Sequence, residues 1–316
     1  MLNRRRFVAA LGAGVASCEG RTPAAVLARR VGRIVPFRRA QVGEVFQIRR
    51  TIPAMGLDQV DPFLMLDHFD FPIAVGERGG LAPHPHRGIE TVTVLLEGAI
   101  EHGDSLGNRA VLEEGDVQWM TAGSGIVHEE NPADILRERG GRVHGIQLWV
   151  NLPAAGKALP PGYQDRRRDQ IPSAAESGAA VRVIAGTLGD VVSPLQTQTP
   201  LALLDATVAA GGEVVLSHPA GWTCFVHVIS GVVDIEGTVV AEATLALLDP
   251  PGDGIRVRSA GGARFLVGGG APIAEPLARR GPFAMNTEAE LEQAAADYRA
   301  GRMGRVANPT YERIRR

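Results

Sequence analysis

An all-β chain of two tandem β-barrels, closed by a short C-terminal helix, is what this sequence predicts. Short β-branched runs punctuated by glycine and proline recur at even spacing, as in residues 91–96 before Gly98 and residues 225–229 before Gly231. That is the pattern of sandwiches and barrels. Residues 88–98 match the outline of residues 221–231, with the same glycine spacing around each run; one barrel, repeated, explains both. Only one convincing helical pattern is present, and it comes late. Asn286, Thr287 and Glu290 open it like a capping box, and residues 291–299 continue it.

The chain has 316 residues, enough for two domains that each bury a core. The expected division is a leader and linker over residues 1–35, a first barrel over 36–165 and a second over 170–316. Pro160, Pro161 and Gly162 form a breaker, and the charged run 165–169 reads as a solvated linker. The net charge is −2, so no basic field invites nucleic acid. Cys18 and Cys224 are the two cysteines, too few for a disulfide framework or a thiolate metal site. Cys224 lies in an apolar run and reads as a buried thiol.

At the N-terminus, Asn3, three arginines (Arg4, Arg5, Arg6) and Phe7 precede a small-residue apolar stretch ending at Cys18. This is the anatomy of a secretory signal. The R-R-x-F pattern resembles a twin-arginine leader, and residues 15–18 resemble a lipobox in which Cys18 becomes a lipid anchor. The expected destination is the periplasm, or the membrane as a lipoprotein; an unstructured arginine-rich tail on a cytoplasmic protein is the alternative. The apolar stretch is too short to span a bilayer, and no later run reaches the ~18 residues a transmembrane helix needs.

The chemistry concentrates in two segments. Pro83, His84, Pro85 and His86 are followed some forty residues later by His128, Glu129 and Glu130. Side chains on a strand alternate faces, so His84 and His86 point the same way, as do His128 and Glu130. Four nitrogen and oxygen donors then converge on one divalent metal. Glu90 is a rival fourth ligand, because even spacing puts it on the face of His84 and His86 if no bulge intervenes. Glu129 alternates away. Such a donor set suits Fe(II), Mn(II), Ni(II), Cu(II) or Zn(II) and does not choose among them. Carried along the repeat, His84 and His86 fall on Ser217 and Pro219, Glu90 falls on Thr223, and no histidine follows His227. The second barrel is therefore expected to hold no metal, with His218 in a turn and His227 in a core or cavity.

These residues resemble the pirin family of bicupins, two cupin barrels in tandem. The likeness runs through residues 61–69, 83–98, 118–128, 275–276, 281–286 and 297–301, and spans about residues 46 to 304; the leader lies outside it. The resemblance implies that His84, His86, His128 and Glu130 are the metal ligands, that iron is the usual metal, and that the C-terminal barrel is metal-free. Glu90 then becomes a neighbour that orients a ligand histidine. It also implies quercetin 2,3-dioxygenase activity, ring opening of a flavonol or related aromatic enol with O2, so that a small aromatic molecule and O2 are the expected partners. Glu130 would serve as general base. Phe63, Phe69, Met120 and Ile146 are candidate walls of an apolar slot; Trp119 alternates against Met120, so at most one of the two faces it. Arg87 is placed either to meet an anionic substrate or to be solvated. The family also implies a second class of role: an iron-dependent, redox-sensing regulator that binds proteins and turns nothing over. A detoxifying enzyme whose substrate is no flavonoid is a third.

Overall fold

The computed structural model describes residues 27–176 and 178–315 of the chain. The arginine motif and Cys18 lie outside the described residues, and with them the expectations of export and lipidation. Two β-barrels follow one another. The first closes a seven-stranded sheet over a four-stranded one. The small sheet holds Leu81–His86, Ile126–Pro132, Ala99–Asp104 and Arg109–Glu113 in that order. At the centre of the large sheet, Gly141–Asn151 lies between Ile89–Glu97 and Phe63–Ile73.

Alternation along these central strands decides what each side chain meets. Phe69 and Leu95 face the interior of the first barrel with Phe46, Ile48 and Ile100. Val92, Val94, Trp119, Ile146 and Leu148 face the other way and pack against Leu203, Phe225 and Leu266 of the second barrel. A sheet buried on both faces explains why Ile89–Glu97 is buried along nearly its whole length, its Glu90, Thr91 and Thr93 included. Phe63 meets Phe225 edge to face across this seam, with ring centroids 5.0 Å apart. The second barrel has its own interior around Val226, Val228, Phe265 and Val267.

Three histidines also bridge the seam. His68 Nε2 lies 2.7 Å from His144 Nε2, and His68 Nδ1 lies 3.2 Å from His227 Nε2. The His68 and His144 rings are tilted by only 16°, so two nearly coplanar imidazoles meet edge to edge.

The barrels exchange arms, which corrects the expected boundaries. Val31–Val35, expected in the linker, is a strand that pairs antiparallel with Leu245–Leu248 of the second barrel. Just before it, the buried Arg29 donates to the carbonyls of Gly252, Trp222 and Pro219. Conversely, the chain from Ala278 returns to the first barrel. Phe283, Met285, Leu291, Met303 and Val306 pack there against Val127. The predicted helix is Glu288–Arg299; Thr287 Oγ1 accepts from the Glu290 N–H, and the Glu290 carboxylate accepts from the Thr287 N–H at 2.8 Å. It is joined by Asp134–Arg139 and Thr310–Ile314, both too short to show helical periodicity. The charged run 165–169 is in part ordered as well: Asp165 and Arg166 end the strand Gly162–Arg166, which pairs with Val117–Thr121. Its polar character reflects a sheet edge. No helix of the described residues is long and apolar enough to cross a membrane.

Candidate metal centre

Two antiparallel strands of the small sheet build the site. His84 on Leu81–His86 sits opposite His128 on Ile126–Pro132, and His86 follows His84 on the same face. The ring centroids are 4.4 Å apart for His84 and His128, and 5.0 Å for the other two pairs. One ring nitrogen from each of the three lies within 4.8 Å of the others. His86 and His128 are buried and His84 is half-buried.

The protonation chemistry suits a cation. His84 Nδ1 is 2.9 Å from the Ala82 carbonyl, and His86 Nδ1 is 3.3 Å from the Pro282 carbonyl. A carbonyl can only accept, so in both rings Nδ1 carries the hydrogen and Nε2 keeps a lone pair. Burial pushes the pKa of His86 and of His128 well below the usual imidazole value, and the neighbouring histidines add to it. Burial also lowers His84, against the opposing pull of the Ala82 carbonyl and Glu130. Neutral imidazoles with free lone pairs are the metal-competent form. Neither nitrogen of His128 has a hydrogen-bond partner, a costly state for a buried polar ring that a bound ion relieves. The residues therefore fit one divalent metal. They form the only such group among the described residues.

Glu130 stands beside this trio rather than within it. The register slips between His128 and Glu130, so that Glu130 faces Leu81. Its carboxylate accepts from Gln147 Nε2 at 2.8 Å and from Thr93 Oγ1 at 3.3 Å. Glu130 also lines a small cavity with Phe46, Phe69, Leu81 and Asp67, with room of about 20 Å³, enough for one water.

Other sequence-based expectations need correction. Glu90 is not brought to the histidines. The strand breaks at Arg87 and at Gly88, whose φ is +78°, and alternation resumes out of phase. Glu90 therefore faces the seam, where it accepts from Thr121 Oγ1 at 2.8 Å and from the Gln198 N–H. Arg87 is neither solvated nor free for a substrate: it pairs with Asp297 at 2.7 Å and donates to the Ser124 carbonyl. Of the four candidate wall residues, Phe69 lines the cavity. Phe63 and Ile146 lie in the seam with Trp119, and Met120 packs with Ile89 and Ile126. Glu129 does face away, and accepts from the Thr310 and Tyr311 N–H groups that begin the last helix.

Two neighbours of the site carry little signal in the sequence. His102 is buried with its ring 5.5 Å from that of His128 and stacked on Tyr163 at 4.7 Å; its Nε2 is 3.3 Å from Asp104. The alternation of His102 and Asp104 along one strand is its only signal. Trp149 meets His86 edge-on at 4.9 Å, while Arg279 covers the same indole. Arg279 and Pro282 both come from the returning C-terminal arm, which no local pattern ties to the site. In the second barrel Ser217 pairs with Gly254, where the first pairs His84 with His128, so that position offers no imidazole.

The chain matches known proteins over most of its length. The pirin family model covers residues 45–150, and that of the pirin C-terminal cupin domain covers residues 203–304. A Pseudomonas aeruginosa protein whose name proposes quercetin 2,3-dioxygenase activity is 40% identical over 271 residues, 84% of this chain and 94% of its own. Human pirin is 37% identical over 284 residues, 87% of this chain and 94% of its own. A crystal structure of a quercetin 2,3-dioxygenase from Acinetobacter baumannii superposes with a TM-score of 0.85 at 35% identity, covering 89% of this chain and 100% of that one.

Proposed function

This chain belongs to the pirin family, and from that premise we propose that it is a metal-dependent dioxygenase acting on a flavonol of the quercetin type, or a related aromatic enol, with O2. The observation that carries the proposal is the convergence of three neutral imidazoles with free lone pairs on one point. The names of the Pseudomonas and Acinetobacter relatives support the substrate class. Iron(II) is the proposed metal; imidazole donors suit it as they suit its neighbours in the series. When bound, a divalent metal supplies Lewis acidity that lowers the pKa of a coordinated hydroxyl.

The residues around it have distinct proposed roles. His84, His86 and His128 hold the ion, and the Ala82 and Pro282 carbonyls fix the first two rings in the ligating tautomer. Glu130 is the proposed fourth ligand and the general base that takes the substrate's hydroxyl proton. Gln147 and Thr93 aim its carboxylate by donating to it, because a base acts only within hydrogen-bond reach. Phe46, Phe69 and Leu81 surround that carboxylate with apolar surface. We further propose that the arginine-rich N-terminus directs export, with Cys18 as the lipidation site.

One observation favours a second reading, an iron-dependent regulatory bicupin without turnover: human pirin is nearly as similar to this chain as the Pseudomonas relative is. Metal analysis with O2 uptake on adding quercetin separates the two. One equivalent of metal, quercetin-dependent uptake, and loss of both in His84→Ala are expected for the enzyme, with metal retained in His218→Ala. Stoichiometric metal surviving in a His84→Ala, His86→Ala double variant would overturn the site. Bound metal without uptake would favour the regulator.

A further inference from the structure

We propose that His102, anchored by Asp104, is a positioning residue of the metal centre: its Nδ1 accepts the hydrogen of whichever His128 nitrogen does not bind the ion. The inference rests on the metal centre proposed above and not on the reaction. The three ligand rings are not equally supported. Nδ1 of His84 faces the Ala82 carbonyl, and that of His86 faces the Pro282 carbonyl. His128 is buried, and neither of its nitrogens has a partner. A bound ion takes one of them. The other must then carry the hydrogen of the ring, and a buried N–H without an acceptor is costly. A metal-bound histidine almost always hands that hydrogen to an acceptor outside the coordination sphere.

The strand order brings an acceptor to His128. Ile126–Pro132 has the strand of His84 and His86 on one side and Ala99–Asp104 on the other. Asp104 sits opposite His128, and His102 opposite Glu130, so all four side chains turn to the same face of the sheet. The His102 ring lies 5.5 Å from that of His128, centre to centre. Two facing ring nitrogens at that separation come into hydrogen-bond reach with a modest turn of either ring. Like His128, His102 is buried and has a nitrogen without a partner, its Nδ1.

Asp104 fixes where His102 carries its hydrogen. Asp104 Oδ1 accepts from the Leu106 and Asn108 N–H groups at 2.9 Å and 3.0 Å, and Oδ2 accepts from Asn108 Nδ2 at 2.8 Å. A carboxylate held by three donors stays ionised and can only accept. His102 Nε2, 3.3 Å from Oδ2, therefore carries the hydrogen, and in the neutral ring Nδ1 keeps its lone pair. Tyr163, stacked on the ring at 4.7 Å, holds its plane. An N–H without an acceptor and a lone pair without a donor thus stand side by side, and one hydrogen bond satisfies both. His102 is not itself a ligand: the nitrogens that share one point are those of His84, His86 and His128.

NMR of the isotope-labelled protein loaded with Zn(II), a diamagnetic stand-in, tests the bond directly. A nitrogen–nitrogen coupling between His128 and His102 Nδ1 is expected, with the hydrogen on His128. His102→Phe keeps a ring to stack on Tyr163 and removes the acceptor. It should hold Zn(II) about 10- to 100-fold more weakly in chelator competition, and its His128 N–H resonance should move upfield. His102→Gln restores an acceptor and should recover part of that affinity. A His102 Nδ1 that carries its own hydrogen in the Zn(II)-loaded parent would overturn the inference, as would equal Zn(II) affinity in the parent and His102→Phe. A parent that takes up no Zn(II) would overturn the metal centre itself, and the inference with it.

Discussion

Replacing His227 by glutamine removes one titrating imidazole from the seam between the barrels. His68 and His227 are fully buried there. Burial, then the neighbouring histidines and Arg49, hold the His68 pKa down to about 2; burial and Arg49 hold that of His227 down to about 3. In the unfolded chain both return to about 6.5. A depressed folded pKa means that the unfolded state takes up the extra proton as the pH falls below about 6.5, so stability is lost on acidification and regained on raising the pH. Between about pH 6 and about pH 4.5 neither folded ring titrates, and each such histidine lowers stability by about 1.9 kcal/mol. Together the two remove about 4 kcal/mol, against a typical total of about 5–15 kcal/mol. His227→Gln should be less stable than the parent near pH 7 by about 1 kcal/mol, because the contact to His68 is altered. Its further loss from there down to about pH 4.5 should nevertheless be smaller by about 2.6 kcal/mol. Urea denaturation of both proteins at the two pH values, with equal metal loading, measures the difference. The metal-site histidines titrate in both proteins and cancel. Equal losses in parent and variant would exclude the seam as the origin of the acid lability.

Glu130→Gln keeps an acceptor for Gln147 but removes the base and weakens the proposed fourth ligand; at equal metal loading, O2 uptake with quercetin should fall by about 10²- to 10⁴-fold. Unchanged turnover would assign the proton transfer elsewhere. Lys157 is buried, and its ammonium donates to the Gly88 carbonyl at 3.0 Å, Asn151 Oδ1 at 2.7 Å and the Ala284 carbonyl at 2.9 Å. Lys157→Met removes a donor from three buried acceptors, of which the Gly88 carbonyl keeps the Leu152 N–H, and should lower stability by about 3 kcal/mol, read as a fall in the urea midpoint.

Features carried by short-range periodicity are legible in the amino-acid sequence. The matched glycine-bracketed runs point to two barrels, and the Thr287–Glu290 box points to its helix, because both depend on neighbours a few residues apart. Alternation along two strands groups His84, His86 and His128 as they are grouped in space. The same rule fails at Glu90, where the break at Arg87 and Gly88 changes which face an even spacing reaches. It also passes over His102, whose alternation with Asp104 does not by itself say that the ring lies beside His128 across the sheet. Met120 and Ile146 are equally good wall candidates by composition; only the packing of the large sheet shows which face meets the second barrel.

The sequence by itself determined the all-β class, the tandem repeat and the grouping of the three histidines. Tertiary structure alone decided the exchange of arms, the His144–His68–His227 contact and the reach of Pro282 to His86 across 196 residues of chain. The division has a physical cause. Side-chain alternation and helix capping are set within a few residues of backbone, whereas contacts between distant segments exist only once two separately formed surfaces have closed on each other, and their energy leaves no period in the chain.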